Sequence, residues 1–230
     1  MNTIKENLEE VKRRLHEAAR RAGRDPALVR LVAVTKTVGL DRLKLAVAVG
    51  HTLFGENYVQ EAKAKITSLG PGLSWHFIGH LQSNKARAAV ELFDLIHSVD
   101  RLSLAQALEQ AAARLGKVQD ILLQVSLAGE ETKSGAAPEN VQVLLREISA
   151  MPHLRVLGLM TMPPWLPDPE EVRPYFRALR ELRDKLRTLN LVDGNLSELS
   201  MGMTGDFEVA VEEGATLVRV GTAIFGARPG

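Results

Sequence analysis

Eight short apolar segments alternate with helical patterns along the chain, and this alternation is the feature that most constrains its fold. The eight segments span residues 31–35, 52–55, 75–79, 95–99, 120–127, 154–160, 198–201 and 216–221. Strands that alternate with helices are typically parallel and joined by right-handed crossovers. Eight strands buried on both faces predict an α/β fold, a single (β/α)8 TIM-type barrel. A doubly wound open sheet is the alternative, but no GxGxxG motif follows the first segment.

An extra helix is predicted at the N-terminus, ahead of the barrel. Thr3 and Glu6 have the spacing of a capping box, an apolar stripe follows them, and Gly23 is placed to end the helix. No linker or low-complexity stretch divides the chain. Residues 1–230 are therefore expected to form one domain.

Later helices are predicted from their start signals. They are expected to begin after Asp100, at Pro138 and after Asp168. Near the C-terminus, Thr204 is expected to cap a short helix that runs through Ala210 and ends at Gly214.

The composition excludes several classes of function. The formal net charge is +1 and aromatic residues make up 4% of the chain, so neither nucleic acid nor an anionic membrane is an expected partner. The chain has no cysteine, which excludes disulfides, thiolate catalysis and thiolate metal sites. The charged N-terminal segment lacks the apolar stretch of a secretory signal, and no apolar run has the length of a membrane span. A cytoplasmic protein is therefore expected.

A lysine ends the first predicted strand, in the segment LVAVTK (31–36). Alternate residues of a strand share a face, so Val32, Val34 and Lys36 are expected to point the same way. For the hexapeptide alone, a lysine that extends into water is the simpler interpretation. In a barrel, however, the C-terminal ends of strands carry the chemistry, and the expected interior is otherwise Val, Leu, Ile and Ala. Desolvation there favours a neutral amine, the form that makes Schiff bases with carbonyl groups.

Glycine-rich segments follow the last two predicted strands, SMGMTGD (200–206) and RVGTAIFG (219–226). Barrels often bind phosphate in these two loops, through backbone N–H groups and a helix N-terminus. Glycines allow close approach of the backbone, and hydroxyl groups add donors. The residues expected to contact a phosphate are Ser200, Gly202, Gly221 and Thr222. Ordinary turns that close the barrel are the alternative, and the position of the segments favours phosphate.

Arg219 lies inside TLVRVG (216–221), a strand that is expected to be buried on both faces. A buried guanidinium keeps its charge and needs partners. The periodicity slightly favours a structural ion pair with an acidic residue such as Glu56. The other interpretation is contact with the ring nitrogen of a cofactor. A lysine, a phosphate site and an arginine around one barrel mouth meet the needs of pyridoxal 5′-phosphate (PLP).

Several long segments resemble a known family, from the N-terminal helix to the last glycine-rich turn. The matching segments are LVAVTK, FGENYVQE (54–61), WHFIGHLQSNK (75–85), GLMTMPP (158–164), LSMGMTGDFEVAVEEGAT (199–216) and VRVGTAIFG (218–226). Together and in this order they are similar to the pyridoxal phosphate homeostasis proteins, single-domain, PLP-binding relatives of the alanine racemase barrel.

The resemblance implies a set of roles around PLP. Lys36 would carry the cofactor as a covalent aldimine, Arg219 would face the pyridine nitrogen, and Asn57 would lie beside the ring. The implied phosphate contacts are Ser200, Gly202, Gly221 and Thr222. The sequence departs from the family pattern at Ser126, where asparagine is expected, so no role is assigned to that position.

The resemblance also implies a function, which is to hold PLP in the cell and to buffer it or deliver it to PLP-dependent apoenzymes. Alanine racemases have a second, β-rich domain and a catalytic tyrosine from the partner subunit. Here Lys36 is the one evident acid/base group for a two-base mechanism, so little or no catalysis is expected. A monomer is favoured. The alternatives are a PLP-dependent racemase or decarboxylase, and a class I aldolase-like enzyme that uses the lysine without PLP.

Six histidines raise the question of a metal site. His76 and His80 are four residues apart, but they lie on a strand and its turn, and no carboxylate stands between them as in HExxH. Packing or contact with the cofactor is the favoured role for both. Lys85 and Lys133 are expected at the surface.

Overall fold

Eight parallel strands close into a barrel in the computed structural model, which describes residues 3–128, 134–192 and 195–227. Each strand pairs with the next, and β8 pairs with β1 to complete the closure. The strands are β1 Arg30–Val34, β2 Leu53–Glu56, β3 Ser74–Phe77, β4 Leu95–Val99, β5 Gln119–Val125, β6 Leu154–Thr161, β7 Glu198–Ser200 and β8 Leu217–Val220. Each of the eight predicted apolar segments overlaps one of them, with ends that differ by at most two residues, and the predicted (β/α)8 class is confirmed.

Helices connect the strands and surround the barrel. They are α1 Ile4–Arg21, α2 Leu40–Ala48, α3 Val59–Leu69, α4 Ala86–Leu92, α5 Leu102–Arg114, α6 Pro138–Ser149, α7 Pro169–Arg187, α8 Phe207–Glu212 and α9 Thr222–Phe225. The predicted starts after Asp100, at Pro138 and after Asp168 are confirmed within two residues. None of the helices in the described ranges is long and apolar enough to cross a bilayer.

The extra helix α1 packs against the part of the barrel that carries the last two loops. The predicted capping box is present, since the Thr3 hydroxyl accepts from the Glu6 N–H and the Glu6 carboxylate accepts from the Thr3 N–H. Arg14 makes two hydrogen bonds of 2.8 Å to Glu208 on α8. Asn7 donates to the carbonyl of Ile224 on α9 at 2.9 Å. Helix α1 therefore holds in place the two short helices that follow β7 and β8.

The predicted cap of α8 is wrong. Asp206, not Thr204, is the N-cap residue, and the helix begins at Phe207. The Asp206 carboxylate accepts a 2.6 Å hydrogen bond from the backbone N–H of Met203 and so closes the turn that precedes the helix. The Thr204 hydroxyl instead lies 3.1 Å from the hydroxyl of Thr222 in the neighbouring loop.

The barrel interior has an apolar layer and a polar layer. The apolar layer is a buried cluster made of Val32, Leu95, Leu122, Met160 and Leu217. The polar layer includes the buried side chains of His76, His97, Ser200 and Arg219. His97 and Arg219 lie two residues beyond members of the apolar layer on their strands, so the polar layer is nearer the C-terminal ends. The expectation of an interior of Val, Leu, Ile and Ala is therefore wrong for this second layer.

Candidate functional site

A cavity of about 430 Å³ opens at the C-terminal ends of the barrel strands. This volume lies within the range of small-molecule sites, about 300–1,000 Å³. Five residues predicted for the site line it, namely Lys36, Asn57, Arg219, Gly221 and Thr222. Ser200 and Gly202 are not on its wall. Most of the remaining lining side chains are apolar, including Val34, Ile78, Met162, Trp165 and Met203.

Lys36 reaches the cavity because it follows β1 on the face that also carries Val34. The predicted shared orientation of these two residues is therefore confirmed. The next residue, Thr37, has a φ of 62°, a left-handed conformation that is uncommon for any residue other than glycine. The backbone thus turns sharply directly after the lysine, and the contacts around it hold that turn.

A buried second lysine, Lys65 on α3, forms hydrogen bonds next to Lys36. Lys65 is 5% exposed. Its Nζ donates to the Thr35 carbonyl at 2.6 Å and to the carboxylates of Glu56 at 2.7 Å and Glu61 at 2.6 Å. We call Lys65 and these two glutamates the Lys65 clamp.

The clamp fixes the backbone on both sides of the site lysine. Before Lys36, the carbonyl of Thr35 accepts from the clamp, and the Thr35 hydroxyl donates to Glu56 at 2.5 Å. After Lys36, the backbone N–H of Thr37 donates to Glu61 at 2.7 Å. Because both neighbours of Lys36 are held by buried or partly buried charges, its position at the cavity wall is defined by α3 as well as by β1.

The predicted ion pair between Arg219 and Glu56 is wrong. Asn57 lines the cavity, so Glu56, one residue earlier on an extended strand, points to the opposite face and toward α3. Its ionic partner is Lys65. Burial raises the pKa of Glu56, while hydrogen bonds from Lys65 and Thr35 act in the opposite direction.

Arg219 forms part of the floor of the cavity. One terminal nitrogen donates to the Ser200 hydroxyl, and the other donates to the Thr161 carbonyl at 2.8 Å. Among the described residues no carboxylate forms an ion pair with it. Burial lowers the pKa of Arg219 to about 10, and the charge of Asp206 opposes this shift. The guanidinium is therefore charged at neutral pH, and its charge is not neutralised by contact with an acid.

Ser200 and Gly202 lie beneath the cavity wall. The buried Ser200 hydroxyl contacts Arg219 and, at 2.8 Å, the Nδ1 of His97. Gly202 has a φ of 92°, and a Cβ at this position would lie 2.6 Å from the Cβ of Ala210. The turn itself thus requires this glycine. A phosphate contact from either residue stays a prediction.

Hydroxyl groups of two neighbouring loops meet at the opposite wall. Thr204, in the loop after β7, and Thr222, at the start of α9, both line the cavity and lie together. The first N–H groups of a helix have no acceptor within it, so α9 adds backbone donors here. Sequence reasoning missed Thr204 as a site residue, although it lies in the glycine-rich segment that was singled out.

The Lys65 clamp and His97 were also missed. Glu61 and Lys65 have the i, i+4 spacing of an exposed helical ion pair, and only the packed structure reveals that the lysine is buried. The signal for His97 was its place between apolar residues in LIHSV. Its Nε2 lies 2.9 Å from the Nδ1 of His76.

The remaining sequence candidates lie elsewhere. His80 is exposed, and its Nδ1 lies 3.0 Å from the Ser134 hydroxyl. Within the described ranges, His, Asp and Glu side chains form no cluster of three or more that could hold a metal ion. Lys85 is partly buried, and Lys133 lies outside the described residues.

Comparison with known sequences assigns the family. The profile of the family described as "Alanine racemase, N-terminal domain" matches residues 4–229. A pyridoxal phosphate homeostasis protein of Aquifex aeolicus is 47% identical over 225 residues, which cover 97% of each chain. One of Pseudomonas aeruginosa is 48% identical over 230 residues, which cover 99% of this chain and 97% of the relative. The chain belongs to the alanine racemase N-terminal domain family and, within it, to the pyridoxal phosphate homeostasis proteins.

Solved structures agree with this assignment. PipY of Synechococcus elongatus without PLP has a TM-score of 0.87 at 39% identity, covering 97% of this chain and 100% of that chain. PipY with PLP bound has a TM-score of 0.86 at 38% identity with the same coverage. An alanine racemase from Corynebacterium glutamicum has a TM-score of 0.73 at 19% identity, covering 99% of this chain and 61% of that chain. The likeness to the racemase shows a shared fold only.

The Lys65 clamp leads to a prediction about stability. Replacing Lys65 with methionine leaves Glu56 buried without its cation, and we expect a loss of about 3 kcal/mol in the free energy of unfolding. Urea unfolding measures this loss. Lys63→Met is the matched control, since Lys63 is exposed on the same helix, and a change within about 0.5 kcal/mol is expected for it. Equal stabilities of the two variants would show that the clamp does not hold the fold.

Proposed function

We propose that this chain binds PLP in the cavity at the barrel mouth, holds it covalently through Lys36, and buffers or delivers it rather than using it for catalysis. The observation that carries the proposal is that Lys36 and the charged Arg219 line the same cavity. PipY, which has nearly the same fold, binds PLP, and the curated relatives are named for PLP homeostasis.

The residues present fit this cofactor. When bound, PLP supplies an aldehyde, which an amine such as that of Lys36 can attack as a nucleophile. The buried side-chain oxygen of Asn57 has no hydrogen-bond partner among the described residues, so a ligand donor there would satisfy it. Arg219 offers donors beyond the two that it uses, which suits the pyridine nitrogen.

The proposed phosphate site is the wall formed by Thr204, Gly221 and Thr222. The two hydroxyls are 3.1 Å apart, and the first backbone N–H groups of α9 lie beside them. Ser200 contributes indirectly in this proposal, because its hydroxyl contacts Arg219. Gly202 contributes through the shape of its turn.

The lining supports a carrier more than a catalyst. Racemisation by two bases requires an acid/base group on each face of the substrate carbon. Tyr58, which follows β2, and His80, which follows β3, could each transfer a proton, but neither lines the described cavity. Arg219 holds its proton at neutral pH because its pKa is about 10. Lys36 is therefore the one proton-transfer group that we assign to the cavity wall.

Covalent attachment leads to a prediction for Lys36. The Lys36→Ala variant is expected to fold and to lose the visible absorbance of bound PLP, because no amine replaces it on the wall. Borohydride reduction and peptide mapping should place the label on Lys36 in the unchanged protein. Lys44→Ala is the control, since Lys44 is exposed on α2. A label that persists on another lysine in Lys36→Ala would contradict the assignment.

The phosphate site leads to a prediction for ligand affinity. A hydrogen bond to a charged group contributes about 1.5–3 kcal/mol, so PLP should bind at least about 100-fold more tightly than pyridoxal. The double variant Thr204→Val, Thr222→Val should remove most of this difference. Thr67→Val, an exposed helical position, should leave it unchanged. Equal titrated affinities for the two ligands would remove the phosphate site from the proposal.

Delivery leads to a prediction that separates carrier from enzyme. PLP-loaded protein is expected to reactivate an added PLP-dependent apoenzyme faster than free PLP at the same concentration does. It is also expected to racemise alanine no faster than the Lys36→Ala variant does. A turnover near ~1 s⁻¹, an ordinary enzyme rate, would refute the carrier function in favour of a racemase. A colourless protein that cleaves phosphorylated sugars would instead indicate the aldolase-like alternative.

A further inference from the structure

We propose that His97 is a positioning residue for Arg219, and that it acts through a one-directional chain of hydrogen bonds, Arg219 to Ser200 to His97 to His76. All four side chains are buried in the barrel interior, and Arg219 also lines the cavity. This chain of hydrogen bonds is independent of the proposed function. Its effect on the cofactor rests on that function.

The direction of the chain follows from counting hydrogen atoms. Arginine only donates, so the Ser200 oxygen accepts from Arg219. Within the described part of the chain, the other contact of this hydroxyl is His97 Nδ1, at 2.8 Å. The Ser200 hydroxyl therefore donates its one hydrogen to that nitrogen. If His97 donated to Ser200 instead, the hydroxyl hydrogen would be buried without an acceptor among these contacts.

The two imidazoles then have defined tautomers. Because the Nδ1 of His97 accepts, a neutral ring carries its hydrogen on Nε2. That nitrogen lies 2.9 Å from His76 Nδ1 and donates to it. The hydrogen of His76 is therefore also on Nε2.

Each member of the chain turns its acceptor atom toward Arg219. Aligned hydrogen bonds polarise one another in a medium of low dielectric, so the chain stabilises the cation without a carboxylate. A carboxylate in place of His97 would neutralise the guanidinium. The chain holds the charge in position and leaves it available to an acceptor atom in the cavity.

Burial is the main reason that both rings are neutral. It lowers the pKa of His97 well below its usual value, and the nearby charges of Arg219 and Arg30 lower it further. Burial and Arg30 lower the pKa of His76 to about 4, although Asp94 opposes them. A protonated ring has no lone pair with which to accept a hydrogen bond, and its charge would repel Arg219. The chain of hydrogen bonds therefore requires neutral rings over the physiological pH range.

Nuclear magnetic resonance of the apo protein tests the chain without any ligand. Long-range ¹H–¹⁵N spectra are expected to show the Nε2–H tautomer for His97 and His76, unchanged from pH 7 to pH 5. An Nδ1–H tautomer of His97, or a ring that becomes charged above pH 5, would overturn the proposal. This measurement stands whether or not the protein binds PLP.

Variants test the effect on the site. His97→Leu is expected to weaken PLP binding at least about 10-fold and to shift the absorbance of the loaded protein. His97→Gln, which keeps an acceptor and a donor, should recover most of the loss. His51→Leu is the matched control. His51 is also buried, but its hydrogen bond goes to the carbonyl of Leu53, which is not part of the proposed chain of hydrogen bonds. Ser200→Ala, which removes the central hydroxyl, should act like His97→Leu and serves if that variant fails to fold.

The outcomes separate the two proposals. Weak PLP binding by the unchanged protein, with the expected tautomers present, would refute the proposed function and leave the chain of hydrogen bonds intact. The positioning role alone would be refuted if the unchanged protein binds PLP tightly and the three variants His97→Leu, Ser200→Ala and His51→Leu bind it equally well.

Discussion

Two buried cations determine the geometry of the site, and the protein stabilises them in different ways. Lys65 is surrounded by acceptors, two of them carboxylates, so its charge is neutralised where it stands. Arg219 bonds to a hydroxyl and a carbonyl, so its charge is solvated but not cancelled. The difference fits their positions, because Lys65 holds backbone behind the cavity lining, whereas Arg219 is part of that lining. A neutralised cation serves as a structural anchor, and an uncompensated one attracts an acceptor or an anion.

Barrel closure brings these groups together from distant parts of the sequence. Lys36 follows β1 and Arg219 lies on β8, and these two strands pair directly, with Val32 opposite Arg219. Parallel strands present all their C-terminal ends at one rim, so each loop adds its side chains to the same cavity. Helix α1, which packs on α8 and α9, supports the loops that carry Thr204 and Thr222 from outside the barrel.

The strand pattern could be predicted from the sequence because each strand of such a barrel is a short apolar run between helix signals. The site lysine could be predicted for the same reason, since a lysine at the end of an apolar strand is conspicuous. The partners of buried charges could not be predicted. Glu56 pairs with Lys65 because Asn57, the next residue, faces the cavity and Glu56 faces the other side of the strand. The spacing of charged residues along the sequence does not reveal which of these two neighbours faces inward. Likewise, His97 and Ser200 are far apart in sequence and meet only through strands β4 and β7.

The racemase comparison shows how far the fold alone constrains the chemistry. A barrel of 19% identity shares the architecture, yet architecture does not determine which groups transfer protons at the mouth. In this protein, Arg219 keeps its proton at neutral pH. In the proposed chain of hydrogen bonds, the groups behind Arg219 donate away from it, so that chain passes no proton toward the cavity. If a pyridine nitrogen accepts from Arg219 as proposed, the ring stays neutral and withdraws electrons weakly, which disfavours carbanion chemistry. In the proposed function the same arrangement would favour binding, because a fixed donor, an amine and the hydroxyls of Thr204 and Thr222 already line the cavity before the ligand enters.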